Sequence, residues 1–315
     1  MSKTSNVAPK FDYDNFDLLE NVSLVFHLAP HVNAQDLPEQ SRLRAIFLET
    51  DIVVPEYVHD PESLGALGKI ALGNTKAYQA MRQWLGGENF ETNLGAFFSA
   101  LYNTRVITAN IDIDDRHPAV GLLEKSQSKL MSFINLPQSE QRQRDVLLAQ
   151  SSVWDAYRLR DQGILQNISP VLKSIIQANL KLDAKYQSEP LQVDLFYGST
   201  HKSLFSALQA KNEASPVEGF SMTIASDSYV DEFSELYLSY LRGENIPYVA
   251  VERYLASIAI LSTLKSRGQI NDRTMSGKKQ SELFLELAEG LELSDLASAV
   301  NEASEKYTQT RLFAS

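Results

Sequence analysis

Short apolar runs separated by segments with helical spacing constrain this chain more than any other feature of it. "NVSLVFHLAPH" reads as a buried strand from Val22 to His27 that runs into a Pro-containing turn. "LRAIFLETD", with Ile46, Phe47 and Leu48 in succession, reads as a second strand. "RVITANIDI" at 105–113, "LQVDLFYG" at 191–198 and "EGFSMTIAS" at 218–226 read as a third, fourth and fifth. Between them Leu94, Phe97, Phe98 and Leu101 fall at i, i+3, i+4 and i+7, the spacing of one helix face. Strands alternating with helices predict an α/β fold with a mostly parallel central sheet of roughly four or five strands flanked by helices.

The longest helical stretch is expected over 139–187, interrupted near Gly163 and restarting with Ser169 as N-cap and Pro170 as first helical residue. From about 228 onward the pattern is helical alone. Phe233, Leu236, Tyr237 and Tyr240 form one face, and Val251, Tyr254, Leu255, Ile258 and Leu261 another. The expected organisation is an arm over 1–17, an α/β core over 18–227, and a helical C-terminal extension over 228–315 packed on that core.

Across 315 residues the net charge is −11, with Lys and Arg dispersed rather than clustered, which argues against nucleic acid and anionic membrane surfaces as partners. The absence of cysteine removes disulfides, thiolate catalysis and Cys-ligated zinc. The N-terminal residues lack the apolar core of a secretory signal, and the apolar run at 254–264 is about half the length of a membrane helix, so a soluble cytoplasmic chain without membrane insertion is expected. Apolar stripes at 251–261 and 283–299 leave a homo-oligomer open.

Ligands of open parallel sheets sit outside the carboxyl ends of the strands. There the sequence places His27 and His31 after the first strand, Glu49 and Asp51 after the second, Asp112, Asp114, Asp115 and His117 after the third, and Gly198 and His201 after the fourth. Histidines and carboxylates at several strand ends suit a hydrolytic or metal constellation. Each also has a plain structural reading. His201 fits a first helical turn capped by Ser199 or Thr200, Glu49 a salt bridge, and His27 a satisfied core residue. Asp112, Asp114 and Asp115 fit a solvated turn, and Arg144 with Asp145 a surface pair. No Walker A loop, G-x-G-x-x-G, G-x-S-x-G elbow or H-E-x-x-H is present.

The order of these pieces resembles the TraB/Tiki families, which belong with the erythromycin esterases and the ChaN-like haem-binding proteins. That pattern has a G-x-x-H-like turn after one strand, a strand ending in Glu, a helix with E-R-D/N-x-x-x-A, and a second strand running into G-x-x-H. Here the pieces are Leu28-Ala29-Pro30-His31, with Leu in place of Gly; Glu49 in "IFLETD"; Gln143-Arg144-Asp145 leading to Ala149, with Gln for Glu; and Gly198-Ser199-Thr200-His201. The resemblance implies hydrolysis of amide or ester bonds in a small molecule or peptide, with Glu49, His201, Arg144 and His31 as catalytic residues. It implies either a divalent metal (manganese, cobalt or zinc) on Glu49, His31 and His201, or a metal-free version with His or Glu49 as base. The alternatives are an inactive ligand-binding or regulatory protein of the same fold, favoured by Leu28, and an unrelated α/β enzyme using Asp112, Asp114 and Asp115 for a metal-bound phosphate.

Overall fold

A computed structural model describes residues 12, 15–29, 40–56, 61–84, 95–134, 136–137, 139–227, 232–270, 283–284, 286–288 and 296–312. In chain order the elements are β1 (Val22–Ala29), α1 (Gln40–Glu49), β2 (Ile52–Pro55), α2 (Pro61–Ala71), α3 (Thr75–Trp84), α4 (Gly95–Leu101) and β3 (Ile107–Thr108). There follow α5 (Pro118–Ser132), α6 (Glu140–Ala178), α7 (Leu180–Tyr186), β4 (Leu191–Gly198), α8 (Lys202–Ala214), β5 (Ser221–Asp227), α9 (Glu232–Leu241), α10 (Tyr248–Ser266) and α11 (Leu296–Leu312). All five strands pair in parallel, in the order β3-β2-β4-β1-β5, so the expected parallel α/β sheet is present.

The chain forms two compact units, one of residues 11–117 and 160–230, the other of 1–10, 118–159 and 231–315. The first holds the sheet. Alternation along the strands sends Leu24, Phe26 and Leu28 of β1, Val193, Leu195 and Tyr197 of β4, and Ile52 and Val54 of β2 to one face. There they bury against Ile164, Leu165, Ile168 and Leu172 of α6 and Leu204 and Leu208 of α8. On the opposite face Val53 and Phe196 meet Phe47 of α1, Ile70 of α2 and Phe97 of α4, with the rings of Phe47 and Phe196 5.5 Å apart. Each such buried side chain contributes about 1.5–3 kcal/mol.

Three sequence expectations are corrected. Residues 40–49 are a helix, because Leu43, Ile46 and Phe47 repeat at i, i+3 and i+4 and Leu43 and Phe47 are buried while Leu48 faces outward. The second strand is instead the β-branched run Ile52-Val53-Val54 and its end at Pro55, every residue of it buried. Third, α6 runs unbroken through Gly163 and Pro170. A Cβ on Gly163 would lie 2.4 Å from Ile113 Cγ2, so this glycine admits a neighbouring side chain rather than ending the helix. Pro170 costs about 3 kcal/mol of helix propensity. The apolar stripe that continues across it, from Ile164 to Ile176, outweighs that cost.

The second unit joins α5, the first half of α6 and the C-terminal helices around Trp154, Tyr237, Val251, Leu255 and Ile260. Residues 118–159 thus group with the C-terminal helices. Gln150 of α6 is fully buried there, and neither its Nε2 nor its Oε1 has a hydrogen-bond partner among the described residues. A buried, unsatisfied amide costs about 1–3 kcal/mol, whereas an apolar side chain of the same shape does not. Gln150→Met is therefore expected to raise stability by roughly that amount, read as a higher urea midpoint at unchanged m-value. A lower midpoint would show that the amide is satisfied in solution. Among the described residues no helix is long and apolar enough to cross a membrane.

Candidate functional site

The carboxyl ends of β2, β3 and β4 converge on one buried cluster. Glu56 follows β2 in the series Ile52, Val54, Glu56, so pleating sends its side chain to the face that α6 covers. Its backbone N–H donates to the carbonyl of Phe196 at 3.0 Å, which continues the β2–β4 pairing one residue past the strand. Asp112 follows β3, and Asn167 of α6 donates to the carbonyls of Ile111 and Asp112 at 3.1 and 3.3 Å, tying that loop to the helix. His201 closes the 3-10 turn of Ser199–His201 after β4 and occupies the N-cap position of α8, where its side chain makes no cap bond. Arg160 and Asp161 enter side by side from α6.

His201 is wholly buried between two carboxylates, with Nδ1 2.6 Å from Asp161 Oδ1 and Nε2 3.0 Å from Glu56 Oε1. Burial alone would pull its pKa down. The fields of Glu56 and Asp161, with the bonds to both, overcome this and push it up to about 9. At neutral pH the ring is therefore an imidazolium that donates from both nitrogens. Ser203 Oγ donates to the other oxygen of Asp161. Glu56 Oε2 accepts the Gly198 N–H at 2.6 Å, and its Oε1 lies 3.3 Å from Arg160 Nη2. Arg160 grips Asp112 with two nitrogens, Nε at 3.1 Å and Nη2 closer, the fork geometry that suits a carboxylate. Burial opposes the guanidinium charge, but Asp112, Glu56 and Asp161 hold its pKa above the usual value.

Tyr197 stands apart from this satisfied network. It is 2% exposed, its ring is edge-on to His201 at 5.2 Å, and its hydroxyl has no hydrogen-bond partner among the described residues. Burial, Asp112 and Glu56 together push its pKa well above the ordinary phenol value, which keeps it a proton donor.

The residues expected from sequence are only partly brought together. His201 is at the centre. Glu49 is the exposed last residue of α1, before the amino end of β2, and the carboxylate that meets His201 is Glu56 seven residues on. Arg144 is exposed and belongs to the other unit; the arginine of the cluster is Arg160. His31 lies outside the described residues. Of the acidic group, Asp112 is buried and held by Arg160, while Asp114 and Asp115 are exposed. His27 is a satisfied core histidine, 2.5 Å from Asp194 and stacked on Phe196 at 4.4 Å on the opposite face of the sheet.

Of the expected metal ligands Glu49 and His201 lie at opposite ends of the sheet strands, and among the described residues no group of three or more His, Asp or Glu side chains is arranged to hold an ion. Between Glu56 and His201 lies a hydrogen bond. A metal ligand there would need Nε2 to give up its proton, against a pKa pushed up to about 9. The chain matches no family model, no curated protein and no solved structure.

Proposed function

We propose that the protein is a hydrolase of amide or ester bonds in a small-molecule or peptide substrate, acting without a metal through Glu56, His201, Asp161, Arg160 and Tyr197. The observation that carries this reading is the His201 imidazolium clamped by Glu56 and Asp161 beside the buried Tyr197 phenol, whose hydroxyl has no partner among the described residues, all gathered at the carboxyl ends of parallel strands. The order of elements supports it. A strand leading into Glu (β2 and Glu56), a helix carrying Arg-Asp (Arg160 and Asp161) and a strand running into Gly-x-x-His (β4 and His201) repeat the TraB/Tiki-like order, with Glu56 in the place of Glu49 and Arg160 in that of Arg144.

In the proposed reaction Glu56 takes a proton from water while the oxygen bonds to the substrate carbonyl carbon. The Tyr197 hydroxyl donates to the oxyanion as it forms, and Arg160 supplies positive charge nearby. Collapse breaks the C–N or C–O bond, and the leaving group takes the proton held by Glu56. Asp161 holds the imidazolium in register, and the imidazolium orients Glu56. A second reading, a ligand-binding or regulatory protein that keeps the fold without chemistry, is favoured by the completeness of His201's bonding: both ring nitrogens are engaged in a structural clamp.

The test is turnover of p-nitrophenyl esters and of a fluorogenic peptide panel by the wild type, Glu56→Gln and Glu49→Gln, with circular dichroism confirming the fold of each. Glu56→Gln should lose turnover by roughly tenfold or more, since it removes the base at nearly constant shape. Glu49→Gln, on an exposed helix end, should match the wild type. Equal turnover by all three, or loss in Glu49→Gln alone, would overturn the assignment. No hydrolysis by any of them would favour the binding reading.

A further inference from the structure

At the amino end of the sheet, opposite His201, lies a groove of about 710 Å³. Its lining includes Leu48 at the end of α1, Leu72 after α2 and Leu180 at the start of α7. These leucines are 60%, 73% and 84% exposed, half of the six most exposed large apolar side chains among the described residues. Isolated exposed leucines are ordinary, but three from separate elements around one depression form an apolar patch.

The groove carries charge of the opposite sign to the whole chain. Its lining has Arg105, Lys181 and Lys185 against the single carboxylate of Asp51, in a protein of net charge −11. Asp51 is already committed, accepting from Lys185 Nζ with both oxygens at 2.9 and 2.8 Å and from the Gln192 N–H at 2.9 Å. Arg105 and Lys181 are exposed and have no side-chain partner among the described residues. Arg105 is also held with φ +64°, its N–H donating to the Ala71 carbonyl at 2.8 Å, so its backbone is fixed at the rim.

We infer that this groove docks an acidic, leucine-rich segment of a partner protein, whose apolar side chains cover Leu48, Leu72 and Leu180 and whose carboxylates meet Arg105 and Lys181. Two alternatives fit less well. A small amphipathic acid lying in the groove would leave the leucines wet, because side chains exposed by more than half stand at its rim. A second copy joined about a two-fold axis would set each patch against itself and bring Arg105 and Lys181 towards like charges. A segment with acidic and apolar residues satisfies both features, and its encounter with a basic patch on an acidic protein would be electrostatically guided.

The proposal does not depend on the hydrolase reading. It is tested by selecting displayed random 12-residue peptides on the full chain, with counter-selection on the double variant Arg105→Glu, Lys181→Glu. The selected peptide is then titrated by fluorescence anisotropy. All substituted positions are exposed, and circular dichroism checks that each variant is folded. Enriched peptides should combine Asp or Glu with Leu, Ile or Phe. Their binding should weaken at least tenfold in the charge-reversed variant and in Leu72→Ser, Leu180→Ser, and should fall with added salt. Enrichment of basic or charge-free peptides, failure to enrich any peptide that discriminates wild type from variant, or self-association in sedimentation that the same substitutions abolish would overturn it.

Discussion

Raising the pH from 6.5 to 9 should strip about 3 kcal/mol from the stability of this protein, most of it through one residue. His201 is buried between Glu56 and Asp161, and the two carboxylates raise its folded pKa from an ordinary 6.5 to about 9 despite the opposing effect of burial. A group whose pKa is higher in the folded than in the unfolded state stabilises fully below the unfolded value. That contribution fades as the pH climbs to the folded value. Urea midpoints should therefore be flat in this respect below about pH 6.5 and decline towards pH 9. In His201→Ala most of the decline should vanish, and at pH 6 the variant should be about 3–5 kcal/mol less stable, because two buried carboxylates lose the cation between them. A wild type whose midpoint is constant from pH 6.5 to 9 would mean that the ring is neutral when folded, which would reopen His201 as a base or a metal ligand.

The sheet was legible in the sequence where strands are long and apolar. β1 begins at the expected Val22 and runs two residues past the expected end at His27, and β4 matches its run from Leu191 to Gly198. The β2 region misled because two apolar stretches lie six residues apart. Ile46-Phe47-Leu48 is continuous enough to imitate a strand, while Ile52-Val53-Val54 is a run of only three apolar residues closed by Pro55. The spacing of Leu43, Ile46 and Phe47 on one side, and the β-branched run Ile52-Val53-Val54 on the other, were the signals that separate helix from strand. A strand placed over Ile46-Phe47-Leu48 ends in Glu49, whereas the strand Ile52–Pro55 leads into Glu56.

The other half of the site was hidden in a helix. Asp161 falls three and four residues before Ile164 and Leu165, on the stripe that α6 buries against the sheet, and a carboxylate on such a stripe must be paired. That signal was present in the sequence. Arg144 and Asp145 match the motif more closely by sequence, because an apolar triplet and Ala149 follow them. Tyr197 is a different case. Alternation along β4 predicts that it is buried, but no pattern of residues predicts that its hydroxyl ends near Glu56, Asp112 and Arg160 without a partner among the described residues. That depends on three strands and a helix being assembled.

Arg160→Met should destabilise the protein by about 3–5 kcal/mol, a loss comparable with that of His201→Ala. The Asp112 side chain is fully buried and that of Glu56 is 4% exposed, and the guanidinium fork spans both. A methionine keeps most of the arginine's stem and its packing but removes the charge that makes burying these carboxylates tolerable. The double variant Arg160→Met, Asp112→Asn separates the electrostatic part from the packing part. Asparagine can still accept the Ile113 N–H that Asp112 Oδ1 now receives at 2.8 Å, while no longer needing a cation. The double variant should therefore recover part of the loss, with a coupling energy between Arg160 and Asp112 of about 0.5–3 kcal/mol in a double-mutant cycle on urea midpoints. Additive losses would mean that Arg160 contributes through its stem alone, and the charge assigned to it beside Glu56 would have no energetic support. Coupling within that range would establish that the cluster at the carboxyl ends is held by opposed charges, the condition under which Glu56 can sit ionised beside a buried imidazolium.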